Sequence, residues 1–176
     1  MGIHHIAFAT KDLEATNTFY TEAMGFELVK VVAAPTEGGG WAKHLFYDTG
    51  KDELIAFWDL HDDTIGTEFP TAISTGAGLP VWVNHLAFDA ATPEALDGAR
   101  QRWQDYGETV MEIDHGWCRS IYTVDPNGIL VEFCHSTRAF TDEDRAEAAR
   151  LLADPQPPLE TPPGVTIHRP TVTASS

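Results

Sequence analysis

Two stretches of the chain repeat one pattern of apolar and polar positions. "HIAFATKDLEATNTFYTEAMGF", from His5, and "HLAFDAATPEALDGARQRWQDYG", from His85, share it at an offset of 80 residues. Each runs histidine, aliphatic, alanine, phenylalanine, two small or polar residues and then a helical period. The first helix carries Leu13, Thr16, Tyr20 and Met24 on one face, opens near Asp12 and stops at Gly25. The second opens at Thr92 with Pro93 in its first position, turns Leu96, Ala99, Trp103 and Tyr106 inward and stops at Gly107. Three strand-like runs follow each helix: "FELVKVV", "WAKHLFYD" and "ELIAFWD", then "ETVMEID", "CRSIYTV" and "ILVEFC". Both halves therefore read β-α-β-β-β. One half has too few elements to cover its sheet on both sides, so the pattern predicts an α+β fold. Two paired βαβββ modules form one curved mixed sheet, with helices outside and a site on the concave face.

The expected organisation is one domain over residues 1–136, with module one at 1–60, a Gly-, Pro-, Ser- and Thr-rich linker at 61–80 and module two at 81–136. A capped helix is predicted over 137–154, with Thr141 as its N-cap and acidic residues in its first turn. The Pro- and Thr-rich stretch 155–176 is expected to drape rather than pack.

At 176 residues and 43% hydrophobic, the chain can bury a sizeable core unaided. Its 27 acidic against 11 basic residues give a formal charge of −16, which argues against nucleic acid and anionic membrane as partners. No apolar run reaches spanning length and no signal-peptide pattern opens the chain, so a cytoplasmic protein is expected. Cys118 and Cys134 are read as reduced, small hydrophobes lying near one another across a hairpin.

Strand parity then gathers candidate chemistry. His5 with Ala7 and Ala9 opposes Ile6 and Phe8; His85 with Ala87 opposes Leu86 and Phe88; Glu132 opposes Val131 and Phe133. Each strand thus sets large apolar groups against a helix and one metal-capable group on the other face. The alanines leave room beside both histidines. Two imidazoles and one carboxylate on one side of an ion leave positions open for substrate and oxygen, a donor set suited to non-haem Fe(II). His5, His85 and Glu132 are the candidate metal ligands, with Fe(II) expected and Mn, Ni, Co or Zn as alternatives.

From about Gly2 to Cys134 these residues resemble the vicinal oxygen chelate superfamily: glyoxalase I, methylmalonyl-CoA epimerase, the bleomycin and fosfomycin resistance proteins and the extradiol dioxygenases. "HIAFATKDLE" is similar to the opening strand and helix start of these proteins, and "DPNGILVE" to their closing turn and ligand strand. The run "HGWCRSIYTVDPNGILVE" from His115 fills every position of the type I extradiol signature. That resemblance implies Glu132 as an iron ligand, with Tyr122 and His115 hydrogen-bonding the substrate or bound oxygen. A catechol must lose protons to chelate a metal, so a phenol and an imidazole nearby are suitable.

Aligning Phe57 with Phe133 places Ala56 opposite Glu132, so the first module offers no fourth ligand. The resemblance also implies an acid/base histidine before the last strand of module one, but Asp52, Glu53 and Leu54 stand there. Glu53 becomes the catalytic candidate at that place, with His44 and His61 as neighbours that could reach in; His4, of opposite parity to His5, reads as structural. Trp41, Trp58, Trp82 and Phe69 could wall a pocket for a flat ring. The expected function is an Fe(II)-dependent extradiol-type dioxygenase taking a small catechol-like diol and O2, as a homodimer. The alternatives are a glyoxalase-type lyase, isomerase or epimerase, and a metal-free small-molecule binding protein.

Overall fold

A computed structural model describes residues 2–51 and 53–171; Asp52 and the end of the tail lie outside the described residues. In the first module, β1 (His5–Thr10) runs parallel to β4 (Glu53–Asp62), which pairs antiparallel with β3 (Gly40–Gly50). β3 in turn pairs with β2 (Glu27–Pro35), giving the order β1-β4-β3-β2. The second module repeats this with β5 (His85–Asp89), β8 (Leu130–Ser136), β7 (Cys118–Val124) and β6 (Val110–Asp114), and adds β9 (Val165–His168) beyond β6. The mixed α+β architecture of two βαβββ modules is as the sequence predicts. Its strands are hydrogen-bonded as two sheets, of four and five strands, rather than as one, and β1 and β5 are edge strands.

The helices form where their signals lie. Asp12 caps α1 (Leu13–Thr18) by accepting from Ala15 N–H, and a π turn over Phe19–Ala23 continues the helix. Thr92 caps α2 (Pro93–Tyr106), which ends at Gly107 in the left-handed region. Strand alternation feeds Leu45, Tyr47, Ile55 and Phe57 of one sheet, and Ile121, Val131 and Phe133 of the other, into a single core with Phe19, Tyr20, Met24, Leu96 and Trp103 of the helices. The helix-covered sides of both sheets share that core, which leaves the two opposite faces open.

Polar contacts tie the modules together at the "DPNG" turn. Asp125 is buried and accepts from Asn127 N (2.9 Å), Ile129 N (2.8 Å), the Asn127 amide (3.1 Å) and, from module one, the Tyr20 hydroxyl (3.0 Å). Burial raises its carboxyl above the ordinary range, while these donors pull the other way. The Asn127 amide also reaches Thr16 Oγ1 (3.2 Å) on α1, and Thr71 of the linker donates to the Asn127 carbonyl (3.0 Å). Gly128 has a φ of 77°, and a Cβ there would come within 2.9 Å of Ala72, so the position needs glycine on both counts. On the far side, Arg102 of α2 donates to the carbonyls of Ala23 (2.8 Å) and Met24 (2.9 Å), satisfying the end of the first helix.

The C-terminal stretch behaves in two ways. α3 (Asp142–Ala153) carries a full capping box between Thr141 and Asp144, as its sequence announces. The tail, expected to drape, instead supplies β9, because β6 would otherwise present an open edge. Gln104 fastens it, donating to Arg169 O (2.7 Å) and accepting from Thr171 N (3.1 Å). No helix among the described residues is long and apolar enough to cross a membrane.

Tyr20→Phe keeps the packing and removes one donor from buried Asp125, so it should cost about 1–3 kcal/mol. Urea denaturation should show a lowered midpoint with an unchanged slope.

Candidate metal centre

In β8, burial of Val131 and Phe133 against the helices turns Glu132 to the open face, where it is still only 5% exposed. In β5, Leu86 and Phe88 pack toward the core and His85 takes the same open face as Glu132. His85 Nε2 and Glu132 Oε2 stand 3.2 Å apart. The other ring nitrogen, Nδ1, lies 3.0 Å from the Trp82 carbonyl, which can only accept, so Nδ1 carries the hydrogen. In the neutral ring Nε2 then presents a lone pair to a carboxylate. Two acceptors at that distance need a proton or a cation between them. The spacing also suits neighbouring ligands that each sit about 2.0–2.2 Å from one ion.

Tyr122 is paired across the ladder with Glu132, and its hydroxyl lies 3.0 Å from His115 Nε2. Burial raises the phenol well above its ordinary range, and the Glu132 carboxylate adds to the effect. Tyr122 therefore keeps its hydrogen, and its hydroxyl shares a hydrogen bond with His115 Nε2. His115 occupies the exposed β6–β7 turn, held where its backbone N–H meets the Cys118 carbonyl (2.9 Å). One open face thus carries His85, Glu132, Tyr122 and His115. Beside them Cys118 and Cys134 are free thiols, and burial pushes that of Cys134 up to about 12, which leaves it unreactive.

His5 is on the open face of the other sheet. Its ring neighbours are Phe46 (centroids 5.7 Å), His44 (6.2 Å) and His4, whose Nδ1 is 2.8 Å from His5 Nδ1. His4 precedes β1, so strand parity does not hold it on the far side. The register sets Ala7 beside Ala56 and Ala87 beside Glu132, and puts Phe46 and Tyr122 at equivalent places. Ala56 accordingly occupies the place of Glu132 and brings no donor. His5 does not meet His85 and Glu132 within this chain: among the described residues, no group of three or more His, Cys, Asp or Glu side chains is gathered to hold an ion.

The remaining candidates divide. Glu53 is exposed at the start of β4 and lines a cavity of about 200 Å³ together with His85, Ile3 and Ile6. His44 stacks on Trp58 (3.8 Å, 14°), its Nε2 buried without a partner, and burial followed by His5 lowers its pKa, so it is neutral. His61 pairs with Asp59 (3.0 Å), stacks on Trp41 and has the opposite parity to His5's face. An apolar cavity of about 570 Å³ lies beside Ala7, Ala9, Ala42 and Trp58. The alanines do leave room there. The Trp82 carbonyl, which fixes the tautomer of His85, was not foreseen; a backbone acceptor three residues upstream has no side-chain signal.

The profile of the Glyoxalase/Bleomycin resistance protein/Dioxygenase superfamily matches residues 2–133. No curated protein matches the sequence at a significant level. Among solved structures, a glyoxalase/bleomycin resistance protein/dioxygenase domain from Frankia sp. EAN1pec is 16% identical with a TM-score of 0.59, covering 77% of this chain and 98% of that one. A fosfomycin resistance protein from Listeria monocytogenes is 22% identical (TM-score 0.52; 82% and 98% covered), and an antibiotic binding protein from Streptomyces sp. CB03234 is 19% identical (0.53; 78% and 97%). At these identities the likeness is one of fold.

His85→Ala removes the lone pair that faces Glu132. Equilibrium dialysis with Co(II) should show a loss of affinity greater than the roughly 10–100-fold that deletion of an outer partner of a metal ligand costs.

Proposed function

The chain belongs to the Glyoxalase/Bleomycin resistance protein/Dioxygenase superfamily, and within it we propose an Fe(II)-dependent extradiol-type dioxygenase that cleaves a catechol-like aromatic vicinal diol. The observation that carries this reading is the joint placement of two pairs on one face. His85 and Glu132 lie 3.2 Å apart with lone pairs opposed, and the phenol and imidazole of Tyr122 and His115 lie 3.0 Å apart beside them. The donor chemistry fits a divalent cation. Fe(II) bound there supplies Lewis acidity toward the diol and the redox capacity to engage O2; Mn, Ni, Co or Zn would find the same donors.

The chain's own residues supply the rest. The Trp82 carbonyl holds the His85 ring in its ligating tautomer, and Glu132 contributes the compensating negative charge. His115 in its neutral form accepts the proton that the diol must lose on chelation. Tyr122, kept protonated by burial, returns one to developing negative charge on oxygen. Glu53, sharing a cavity with His85, is the acid/base candidate from the first module.

The third ligand comes from a second copy. His5 and the His85–Glu132 pair stand on open faces of different sheets, so a homodimer that lays the first sheet of one chain beside the second sheet of the other unites them. Mixing the chains tests this. His5→Ala and His85→Ala homodimers should each lack metal sites, whereas their co-expressed heterodimer should regain one intact site per dimer. Failure to regain it would place the ligands within one chain.

A second reading, a metal-free small-molecule binder, is favoured by the separation of His5 from the other two ligands. Metal analysis separates them: anaerobically reconstituted protein should hold iron near one per chain, and an oxygen electrode should register uptake with a catechol panel as a yellow ring-opened product forms. Tyr122→Phe should spare the iron and lower kcat by about 10²–10⁴-fold. Loss of iron in that variant, or unchanged turnover, contradicts the role given to the phenol.

A further inference from the structure

A cavity of about 890 Å³ lies between the β6–β7 turn and the C-terminal helix. Most of its wall comes from residues beyond the superfamily match, which ends at 133. His115, the hydrogen-bond partner of the Tyr122 hydroxyl, also lines it.

Two features of the wall are unexplained by folding. α3 has no buried residue; it is held by its cap and by the paired contact of Arg138 with Asp144 (2.6 and 2.8 Å). Trp117 and Phe140 remain 39% and 55% exposed although their rings pack at 5.2 Å, and Ala148 and Leu151 continue the apolar side beside them. α3 thus stands beside a partly open aromatic pair with none of its own residues fully buried. The volume lies in the range of sites for drug-sized molecules, roughly 300–1,000 Å³.

Charge indicates the kind of molecule. The arginines of the wall are neutralised: Arg138 by Asp144, and Arg145 by Asp142 at 3.0 Å. Glu147 is taken by Arg150. Asp114 accepts only from Gly116 N (2.7 Å), and neither it nor Glu160 has a basic partner among the described residues. The balance left over is negative, beside two aromatic faces suited to a cation.

We propose that this cavity binds a planar aromatic molecule bearing a positive charge, and that its adjacency to His115 makes it the seat of the non-reacting part of the substrate. The binding claim stands on the cavity alone; the substrate claim rests on the function proposed above.

The test uses thioflavin T, a planar cation, and 8-anilinonaphthalene-1-sulfonate, a planar anion, titrated by fluorescence into the full-length, metal-free protein. Thioflavin T should bind at least about 10-fold more tightly than the anion. Each of Trp117→Ala and Glu160→Gln should weaken it by about 10-fold, in line with a lost cation–π or charge contact of 1–2 kcal/mol. Ala148→Trp, at a position on the exposed helix, should fill the space and abolish it. Equal binding of the two dyes, or undiminished thioflavin T binding in Ala148→Trp, overturns the proposal. Co(II) affinity measured on the same variants keeps the two claims apart: it should stay unchanged in all three, and absent Co(II) binding in the unmodified protein would count against the metal reading while leaving the dye result standing.

Discussion

Phe57 and Phe133 hold equivalent places in their sheets and point into one shared core, and the two-residue period of a strand turns that burial into a constraint on their neighbours. With Phe133 inward, Glu132 has only the open face available; with Phe57 inward, Ala56 has the same. A register slip of one residue in β8 would send Glu132 under α2 and bring Phe133 to the site. The core thus constrains the face of each metal-capable group as well as the stability, and so strand parity alone assigns those faces. It also limits what one chain can do. Both sheets turn their helix-covered sides to the same core, so the face bearing His5 and the face bearing His85 and Glu132 belong to different surfaces.

Much of this was readable from the residues. Asp12, Thr92, Gly107 and Thr141 mark helix ends by local hydrogen bonding and backbone conformation, and each does so here. The repeat at His5 and His85 gave the two modules, and the Ala56–Glu132 equivalence survives in the ladder register. Tyr122 and His115, which the motif singled out one by one, lie 3.0 Å apart. What escaped was non-local. Parity says which face a side chain takes, but nothing about which two faces meet, so the separation of His5 from the pair was hidden. β9 was hidden for a related reason: "VTIH" becomes a strand by covering the edge of β6, and its Pro- and Thr-rich surroundings point to a loop. His4, read as structural or surface, is exposed, and its ring meets that of His5 just before the strand begins.

The "DPNG" turn shows how one motif can serve two ends. Read as a hairpin, it explains the close approach of β7 and β8 and hence the juxtaposition of Tyr122 with Glu132. Its polar side chains do something else: Asp125 and Asn127 point into the protein and bind Tyr20 and Thr16, while the Asn127 carbonyl accepts from the linker residue Thr71. The segment that aims the ligand strand is therefore also the joint between the modules. Loosening it would disturb the site without touching a candidate ligand.

Of the four buried carboxylates among the described residues, Asp125 and Glu132 are the most hidden, and their contrast is the internal argument for a cation. Both are about equally hidden, at 4% and 5% exposed, in a chain of net charge −16 where any uncompensated buried anion is unwelcome. Asp125 accepts from two backbone N–H groups, an amide and a phenol, which is what a structural carboxylate requires. Glu132 has no arginine or lysine among the described residues and faces an imidazole whose near nitrogen carries no hydrogen when neutral. Leaving a buried carboxylate in that condition costs several kcal/mol. Protonating His85 would offset it as well, since an imidazolium donates from both nitrogens and keeps the Trp82 contact. A divalent ion held by His85 and Glu132, as proposed above, would instead satisfy both groups in the tautomer that the Trp82 carbonyl fixes.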